Sequence, residues 1–479
     1  MTPANDGLTA GTPAPAEDLP VEDLEDLALS DDYALNPAFV EMVVDAADLG
    51  NLARLRVLIE ALHPADLADL LGFLSRGYRE VIVPLLTADE LSETLSELDG
   101  PLREDVLELV APENLAKAIG EMESDDAADV VDDLEADRRG QVLAAMSPAH
   151  RISIESALSY ADETAGRLMQ REVLAAPQFW TVGQAIQHIQ AGGDDLPELF
   201  FDVYVVDPSN KPLGAAPLSL LLRSSPDALL SKIMEPVTEI PVEMDQEEVA
   251  YIFDKYHLIS APVVEVGGRL VGQITVDDIV GVIQDESEED MLALAGVSDR
   301  GRSDTIMGVT RSRFWWLLIN LGTAILASSV IGVFQDSIAK LAALAVINPI
   351  AASMGGNAGT HTVTVVVRAL ATRELNAANL LAAVWREIAV GVMNGVAFAV
   401  VMGAVTEFWF HSPIMALIAG LAMVINLIVA AIAGMLIPLG LDKMGFDPAA
   451  SSVVFLTTVT DCVGFFSFLG LATLILLHH

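Results

Sequence analysis

The chain has 479 residues, of which 52% are hydrophobic, and a formal net charge of −43. Residues 1–300 hold 60 Asp/Glu and 17 Lys/Arg, whereas residues 301–479 hold eight of each. The acidic part excludes nucleic acid and anionic lipid headgroups as partners, because both are polyanions, and we expect divalent cations there instead. The single cysteine, Cys462, excludes an intrachain disulfide.

The N-terminal part predicts a tail followed by helices. Residues 1–35 are rich in Pro, Ala and acidic residues, which predicts a disordered acidic tail. They lack a basic segment followed by an apolar core, so we expect no signal peptide and a cytoplasmic N-terminus. In residues 36–165 apolar residues recur at helical spacing, and polar helix starts such as Thr87-Ala88-Asp89 recur roughly every 20–25 residues. This pattern predicts an all-α N domain, a small solenoid of helical hairpins.

Residues 166–285 change to alternating strands and helices. Val205-Val206-Asp207 returns later in the chain as Val263-Val264-Glu265, and each belongs to two hydrophobic strands followed by a helix. The duplication resembles a tandem pair of α/β cystathionine-β-synthase (CBS) domains, with copies at 166–230 and 231–285. In the second copy Gly272, Thr275 and Asp278 match that family's nucleotide-contacting pattern G-x-x-T-x-x-D. The resemblance leaves binding of ATP or adenosine open.

The C-terminal part predicts a polytopic α-helical membrane domain. Residues 286–312 form a polar, plug-like connecting helix, and 313–479 hold five apolar segments long enough to span a bilayer. These segments are Phe314–Phe334, Ile338–Leu370, Ala383–Phe408, Pro413–Leu439 and Ala449–Leu477. With the N-terminus in the cytoplasm, the inner flanks carry nearly all the Lys and Arg, and five spans place the C-terminus outside.

Asp461 is the most informative residue of the membrane domain. It lies in an otherwise apolar span, and the Lys and Arg residues of the neighbouring segments belong to their flanks, so none lies in mid-span to pair with it. An intramembrane carboxylate is costly unless it faces water, a cation or a partner. We therefore predict a cation-binding carboxylate that lines a pore; the alternative is a protonated side chain bonded within its helix.

Polar and helix-breaking residues add to this prediction. Asn348-Pro349 and the glycine-rich run around Asn357 predict a break in the second span, where irregular backbone lines a water-filled cavity. Close helix packing through small residues is the alternative for the glycines. Asn357 and Asn426 are therefore further candidate pore residues.

In these motifs the sequence resembles the MgtE family of magnesium channels. The shared segments are P-I-A-A-S-M-G-G-N-A-G-T at 349–360, G-F-D-P-A at 445–449 and T-T-V-T-D-C-V-G-F-F-S-F-L-G at 457–470. The order of the parts also matches, so the resemblance covers nearly the whole chain outside the tail. It implies a Mg²⁺-selective channel for magnesium uptake and homeostasis in the bacterial plasma (inner) membrane. It also implies a homodimer in which Asp461 of each subunit forms the ion site.

The resemblance further implies that cytosolic Mg²⁺ bound to the soluble domains closes the pore. The matching regulatory positions are Asp125, Asp129, Gly166, Asp245, Glu247, Asp278, Glu286, Glu289 and Asp447. His257 and Gly281 stand where acids are expected, and His361 stands where the family often has Gln. These departures put at least one sensor site in doubt.

Three alternatives remain open at this stage. A secondary transporter that exchanges a divalent cation against H⁺ or Na⁺ would use the same Asp461. Oxygen ligands also suit Mn²⁺, Co²⁺ and Ni²⁺. An enzyme is not expected, because the sequence contains no H-E-x-x-H, G-x-S-x-G or P-loop motif.

Overall fold

The computed structural model describes residues 24, 27–30, 32–98, 100–192, 196–197, 199–295, 306–375 and 378–476. The chain divides into two units, Met1–Val282 and Ile283–His479. Most of the predicted acidic tail, the middle of the predicted connecting helix and the C-terminal end lie outside the described residues.

The first unit begins with short helices that recur at a regular spacing. The helices are α1 (Pro37–Asp48), α2 (Leu52–Glu60), α3 (Pro64–Phe73), α4 (Arg76–Ile82), α5 (Ala88–Ser96), α6 (Gly100–Leu109), α7 (Pro112–Glu121), α8 (Ser124–Asp132), α9 (Ala136–Ala145), α10 (Pro148–Ala157) and α11 (Ala165–Leu168). The odd-numbered helices from α3 to α9 start at evenly spaced positions and pack on one another in sequence. The all-α prediction is confirmed for this region, and the term solenoid stays an interpretation.

Capping and ion pairs explain why these short helices are stable. Thr87 and Glu90 form a reciprocal capping box at the start of α5, which satisfies backbone donors that a helix start leaves free. Glu90 also accepts two hydrogen bonds from Arg56, at 2.6 and 2.7 Å. Arg103 of α6 reaches Asp133, just after α8, in the same way at 2.6 Å. Polar bonds between repeats therefore supplement the leucine-rich core.

Two three-stranded sheets follow, and they repeat one design. The first has β1 (Ala175–Pro177), β2 (Asp202–Val206) and β3 (Pro212–Pro217), with α12 (Val182–Gly192), α13 (Leu218–Leu221) and α14 (Leu230–Ile233). The second has β4 (Ile240–Pro241), β5 (Ser260–Val264) and β6 (Leu270–Thr275), with α15 (Gln246–Tyr256) and α16 (Val276–Leu294). In each sheet a parallel pair is followed by an antiparallel pair.

The predicted duplication holds for the antiparallel pairs. The bounds of β5 and β6 repeat those of β2 and β3 at one constant displacement along the chain, and both pairs are irregular at the matching positions Val205/Val206 and Val263/Val264. Gly214 and Gly272 are also equivalent, and a Cβ at either would clash with a backbone oxygen. Both copies therefore need glycine for close backbone approach.

Beyond α16, the described helices of the second unit are long and apolar, with one short helix among them. They are α17 (Ile306–Val333), α18 (Gln335–Lys340), α19 (Ala343–Ala371), α20 (Leu380–Phe410), α21 (Pro413–Lys443) and α22 (Pro448–Leu476). Among the described residues, four segments are long and apolar enough to cross a membrane: Met307–Val333, Leu380–Phe410, Pro413–Lys443 and Ser451–Leu476. α19 is also long, with 29 residues, but its polar side chains make it less apolar than these four segments. Helices that could span a membrane are thus present among the described residues, and the count of five spans stays a prediction.

The predicted break in the second span is wrong. α19 is one continuous helix that passes through Pro349 and the glycine run. Pro349 lies inside this helix and removes one backbone hydrogen bond, yet the helix continues past it. The glycines instead allow neighbouring helices to approach: a Cβ on Gly359 would lie 2.7 Å from Leu456, and a Cβ on Gly434 would lie 2.9 Å from the Gly359 oxygen. Close packing through small residues was the correct alternative.

Candidate ion-binding sites

Asp461 lies on α22, half-buried, in the wall of a cavity of about 330 Å³. The other lining residues come from the end of α16, from α17 and from α22: Ala293, Leu294, Ala295, Asn320, Thr323, Ala324, Val453, Val454, Thr457 and Thr458. No Lys, Arg or His occurs among these described residues, so the wall contains no cationic side chain to neutralise the carboxylate. The cavity therefore suits a cation in water, and the role of Asp461 as pore ligand stays a prediction.

Asn426 lies in a helix interface rather than in open space. It is fully buried, and its Nδ2 donates to the Ala351 oxygen at 2.7 Å. Its Oδ1 has no hydrogen-bond partner among the described residues. A Cβ placed on Gly355 would clash with Nδ2, and one placed on Gly464 would lie 2.9 Å from the same atom. Asn426 thus joins α19, α21 and α22, a position that differs from the expected pore lining.

Asn357 is exposed on α19, as is His361 one turn later. The described lining of the Asp461 cavity includes neither Asn357 nor Asn426. The structure therefore does not bring the three predicted pore residues into one cavity. Whether Asn357 contacts an ion stays a prediction.

The first unit brings Asp125 of α8 close to Asp278 at the start of α16. Asp125 is buried, and its Oδ1 has no hydrogen-bond partner among the described residues. Burial, followed by the charge of Asp278, raises the pKa of Asp125 well above its ordinary value. Burial also raises the pKa of Asp278 to about 7, although a hydrogen bond from Thr275 opposes the shift. Two carboxylates held together in this way favour a cation between them.

Three further carboxyl groups surround this pair and were not predicted from the sequence. Burial, followed by the charge of Asp278, raises the pKa of Glu123 to about 7, and Asp126 and Asp277 contribute to the same field. Glu123 Oε2 accepts from Gln170 Nε2 at 2.5 Å. In the sequence, only the high density of acidic residues indicated these groups. The tertiary fold brings the start of α8 close to residue 170, and no local sequence pattern predicts that contact.

Glu172 adds a second link at the start of α8. Its Oε2 accepts from Ser124 Oγ at 2.8 Å, and Ser124 Oγ in turn accepts from the Arg171 amide at 2.8 Å. Gln273 Nε2 donates to the Glu172 backbone oxygen at 3.0 Å. These bonds hold the helical repeats to the second sheet beside the acidic cluster.

Asp129 and Gly166, two other predicted regulatory positions, already have local partners. Arg167 Nη2 lies 3.3 Å from Asp129 Oδ1 and 3.1 Å from Asp132 Oδ2. The Gly166 amide donates to the Val242 oxygen at 2.9 Å, and a Cβ on Gly166 would lie 2.6 Å from the Tyr160 ring. Asp129 would have to leave Arg167, or share it, to contact a metal ion.

Asp245 and Glu247 are exposed at the start of α15. The Asp245 Oδ1 atom accepts from the Glu247 amide at 2.9 Å, so Asp245 caps this helix. His257 ends the helix in the left-handed region, with φ of 53°. Gly281 is exposed, with open space around it. These positions are solvent-facing, and their metal-binding role stays a prediction.

The end of α16 presents acids on one side. Glu286, Glu289 and Asp290 are half-buried, whereas Glu288 is exposed. Burial, followed by the charge of Asp447, raises the pKa of Asp290. Asp447 Oδ1 accepts from the Ala449 amide at 2.7 Å, which places it at the start of α22. Asp290, which the sequence analysis did not single out, therefore faces Asp447.

The residues of the nucleotide pattern have structural roles within the chain. A Cβ on Gly272 would clash with the Gln170 oxygen. Thr275 is almost fully buried and donates to Asp278 Oδ2 at 2.8 Å. Such contacts explain the pattern without a ligand, and nucleotide binding stays a prediction.

The donor sets restrict how Mg²⁺ could be held. Within the ranges that the structure describes, no three His, Cys, Asp or Glu residues are grouped closely enough to hold a metal ion. Mg²⁺ usually keeps several waters and takes only one or two carboxylates. The pairs Asp125–Asp278 and Asp290–Asp447 match this coordination preference. The Asp125 Oδ1 atom, which has no hydrogen-bond partner among the described residues, is available as an acceptor.

Three family models match successive parts of the chain. Residues 62–163 match the MgtE intracellular N domain, residues 230–285 match the CBS domain, and residues 348–471 match the MgtE divalent cation transporter domain. The magnesium transporter MgtE of Thermus thermophilus is 31% identical over 440 residues, which cover 90% of this chain and 97% of that protein. The chain belongs to the MgtE family.

A second relative agrees with this membership. The magnesium transporter MgtE of Enterococcus faecalis is 32% identical over 322 residues, which cover 67% of this chain and 71% of that protein. A solved cytosolic domain of the Mg²⁺ channel MgtE in complex with ATP is 30% identical, with a TM-score of 0.49, and the match covers 51% of this chain and 99% of that structure. MgtE proteins are transporters, so this chain is not an enzyme.

Proposed function

We propose that this MgtE protein is a Mg²⁺-selective channel for magnesium uptake across the bacterial plasma (inner) membrane. The observation that carries the proposal is the Asp461 carboxylate in a cavity whose described wall holds no basic side chain. The names of the relatives from Thermus thermophilus and Enterococcus faecalis support Mg²⁺ as the transported ion. Mg²⁺ releases its water reluctantly, so a carboxylate in a wet cavity can hold the ion through its waters.

The architecture that we propose has five spans in each subunit of a homodimer. α19 supplies the fifth span. It is less apolar than the other four, but its contacts with α21 and α22 cover much of its surface. The excess of Lys and Arg on the flanks assigned to the inside supports a cytoplasmic N-terminus and an outer C-terminus. The domain boundaries of the sequence analysis are kept: 1–35, 36–165, 166–230, 231–285, 286–312 and 313–479.

Regulation by cytosolic Mg²⁺ is the second part of the proposal. Asp125 with Asp278, and Asp290 with Asp447, are the described pairs that a hydrated Mg²⁺ would join. Without metal the like charges repel, and a divalent ion between them offsets that repulsion. An ion that binds the closed state better than the open state shifts the channel towards closure.

Replacement of Asp461 tests the transport proposal. Asp461→Ala removes the charge of the ion site, so we expect Mg²⁺ flux in proteoliposomes to fall by at least about tenfold, which corresponds to about 1.4 kcal/mol. Asp442→Ala is the matched control, because it removes an exposed carboxylate from the last turn of α21. Normal flux in a correctly assembled Asp461→Ala protein would rule out the ion site.

Bilayer recording separates a channel from an exchanger. A channel passes Mg²⁺ current down its gradient with no counter-ion, whereas an exchanger needs H⁺ or Na⁺ on the opposite side. We expect Mg²⁺ current to persist when Na⁺ is removed and pH is equal on both sides. Current that depends on either counter-ion would favour the secondary transporter. Replacing Mg²⁺ by Mn²⁺, Co²⁺ or Ni²⁺ in the same recordings gives the selectivity order.

A further inference from the structure

Three threonine side chains line the Asp461 cavity: Thr323 of α17, and Thr457 and Thr458 of α22. Each donates its hydroxyl hydrogen to a main-chain oxygen three or four residues earlier in its own helix, at 2.8, 3.1 and 2.7 Å respectively. A carbonyl oxygen can only accept, so the hydroxyl is the donor in each bond. A hydroxyl has one hydrogen and two lone pairs. Each threonine oxygen, in a residue that lines the cavity, therefore keeps the capacity to accept a hydrogen bond.

The other described lining residues add hydrogen-bond acceptors and few donors. Asp461 contributes carboxylate oxygens, the alanine, valine and leucine side chains offer no polar group, and the amide of Asn320 is the one further side-chain donor. A hydrated cation presents hydrogen-bond donors to its surroundings, because its waters bind the ion through oxygen and point their hydrogens outward. Six waters occupy about 180 Å³ at roughly 30 Å³ each, which fits within the cavity of about 330 Å³.

We propose that Thr323, Thr457 and Thr458 recognise the water shell of the transported divalent cation, while Asp461 supplies the attracting charge. The inference rests on the proposed function and adds to it the groups that determine specificity. A carboxylate alone attracts any cation. Acceptors fixed on two helices favour an ion that keeps its waters in place, and Mg²⁺ keeps its waters more firmly than Ca²⁺.

Valine substitution tests the threonines, because valine has nearly the same shape and no oxygen. We expect full-length Thr323→Val/Thr457→Val/Thr458→Val protein in liposomes to need about three- to tenfold more Mg²⁺ for half-maximal flux, the effect of a few lost hydrogen bonds. The preference for Mg²⁺ over Ca²⁺ should fall, and the maximal rate should change less. The corresponding triple serine variant keeps the hydroxyls and should restore both quantities.

Matched controls have the same hydroxyl bond outside the cavity. Ser329 of α17 donates to the Ile325 oxygen at 2.9 Å, and Thr364 of α19 donates to the Thr360 oxygen at 3.0 Å. Ser329→Ala and Thr364→Val should leave flux and selectivity unchanged. Single Thr458→Val, with an expected shift of about twofold, serves as the test if the triple variant fails to assemble.

Two outcomes would overturn the inference. The first is a valine variant, triple or single, with the half-saturating Mg²⁺ and the Mg²⁺ preference of the unaltered protein. The second is a serine variant that loses as much as its valine counterpart. If Asp461→Ala stops transport while the valine variants behave normally, the threonine proposal alone is wrong. Normal transport by Asp461→Ala would instead contradict the proposed function.

Discussion

At the scale of single residues, the ionisation of a buried or half-buried carboxylate depends on the groups beside it. Glu90 has Arg56 and a helix start as partners. Asp125 is buried beside Asp278 without a cationic partner for its Oδ1 among the described residues. A carboxyl group that is buried without compensation resists ionisation. We therefore propose that protons and divalent cations compete for the acidic cluster.

The first prediction is that metal-free protein loses stability as pH rises from 5.5 to 8. Burial raises the pKa of Glu123 and of Asp278 to about 7. A carboxyl whose pKa is higher in the folded protein than in the unfolded chain destabilises the fold once it ionises, so the loss begins above about pH 4 and is complete above about pH 7. We expect the unfolding temperature in EDTA to fall by about 3 °C or more over that range.

Magnesium and substitution provide the checks on this pH dependence. Millimolar Mg²⁺ at pH 8 should recover most of the loss, because a cation offsets the repulsion between the carboxylates. Glu123→Gln/Asp278→Asn should flatten the metal-free profile, whereas Glu93→Gln, which alters an exposed acid of α5, should not. A profile that keeps its full slope in the double variant would show that other groups cause it.

At the scale of elements, close contact between α19, α21 and α22 depends on glycines, which have no side chain. Gly355 and Gly464 leave the space in which the Asn426 amide reaches the Ala351 oxygen. Small residues at such crossings allow helices to approach closely in a membrane, where the hydrophobic effect does not drive helices together. The glycine run of α19 is thus a packing surface, and the helix needs no break.

The second prediction concerns Gly355→Ala. Its new methyl group would clash with Asn426 Nδ2, so the helices must separate or Asn426 must turn away from Ala351. We expect a loss of about 1–3 kcal/mol, the usual cost of overpacking, measured as a lower unfolding temperature of the purified protein. Gly440→Ala, which has open space around its Cβ, should have little effect.

Asn426 decides whether the clash is the cause. Asn426→Ala alone removes a buried hydrogen bond and should also destabilise the protein. Combined with Gly355→Ala it vacates the space that the methyl group needs, so the double variant should be more stable than the sum of the two losses implies. Strict additivity of the losses would argue against a direct contact between these residues.

At the scale of the whole molecule, charge and hydrophobicity are separated along the chain. Residues 1–300 carry the entire net charge of −43, and residues 301–479 are neutral overall. Such an excess repels itself in a compact state unless cations reduce it. Magnesium concentration is therefore expected to alter the conformation of the acidic part and, through it, the membrane helices.

The third prediction concerns gating. Asp278→Asn/Glu286→Gln/Glu289→Gln should shift the midpoint of closure to about three- to tenfold higher internal Mg²⁺, because removed ligands weaken binding to the closed state. Single-channel conductance should not change, since the proposed role of these residues is in closure and not in the conduction path. Single-channel recording over a series of internal Mg²⁺ concentrations measures both quantities.

Glu288→Gln is the control for this gating experiment. It removes one charge from the exposed side of α16, whereas Glu286 and Glu289 lie on the half-buried side. An unshifted midpoint in the triple variant would contradict the sensor assignment. A lower conductance with an unchanged midpoint would instead place these residues in the conduction path.

The sequence by itself determined the order of the parts, because local patterns carry that information. Helical periodicity predicted the all-α repeats, the internal duplication predicted the paired strands, and long apolar runs predicted membrane helices. Asp461 stood out for the same reason, since a single carboxylate in an apolar span is costly wherever that span packs. The motifs at 349–360 and 457–470 further identified the MgtE family.

Only the tertiary structure decided which distant residues meet. Asp125 and Asp278, or Asp290 and Asp447, are brought together by packing that no local pattern encodes. The sequence could not distinguish Asn426 in a helix interface from Asn426 in a pore, because both positions exclude lipid from a polar group. It also could not tell glycines that break a helix from glycines that let helices approach. Neighbouring side chains decide that question, and they come from other helices.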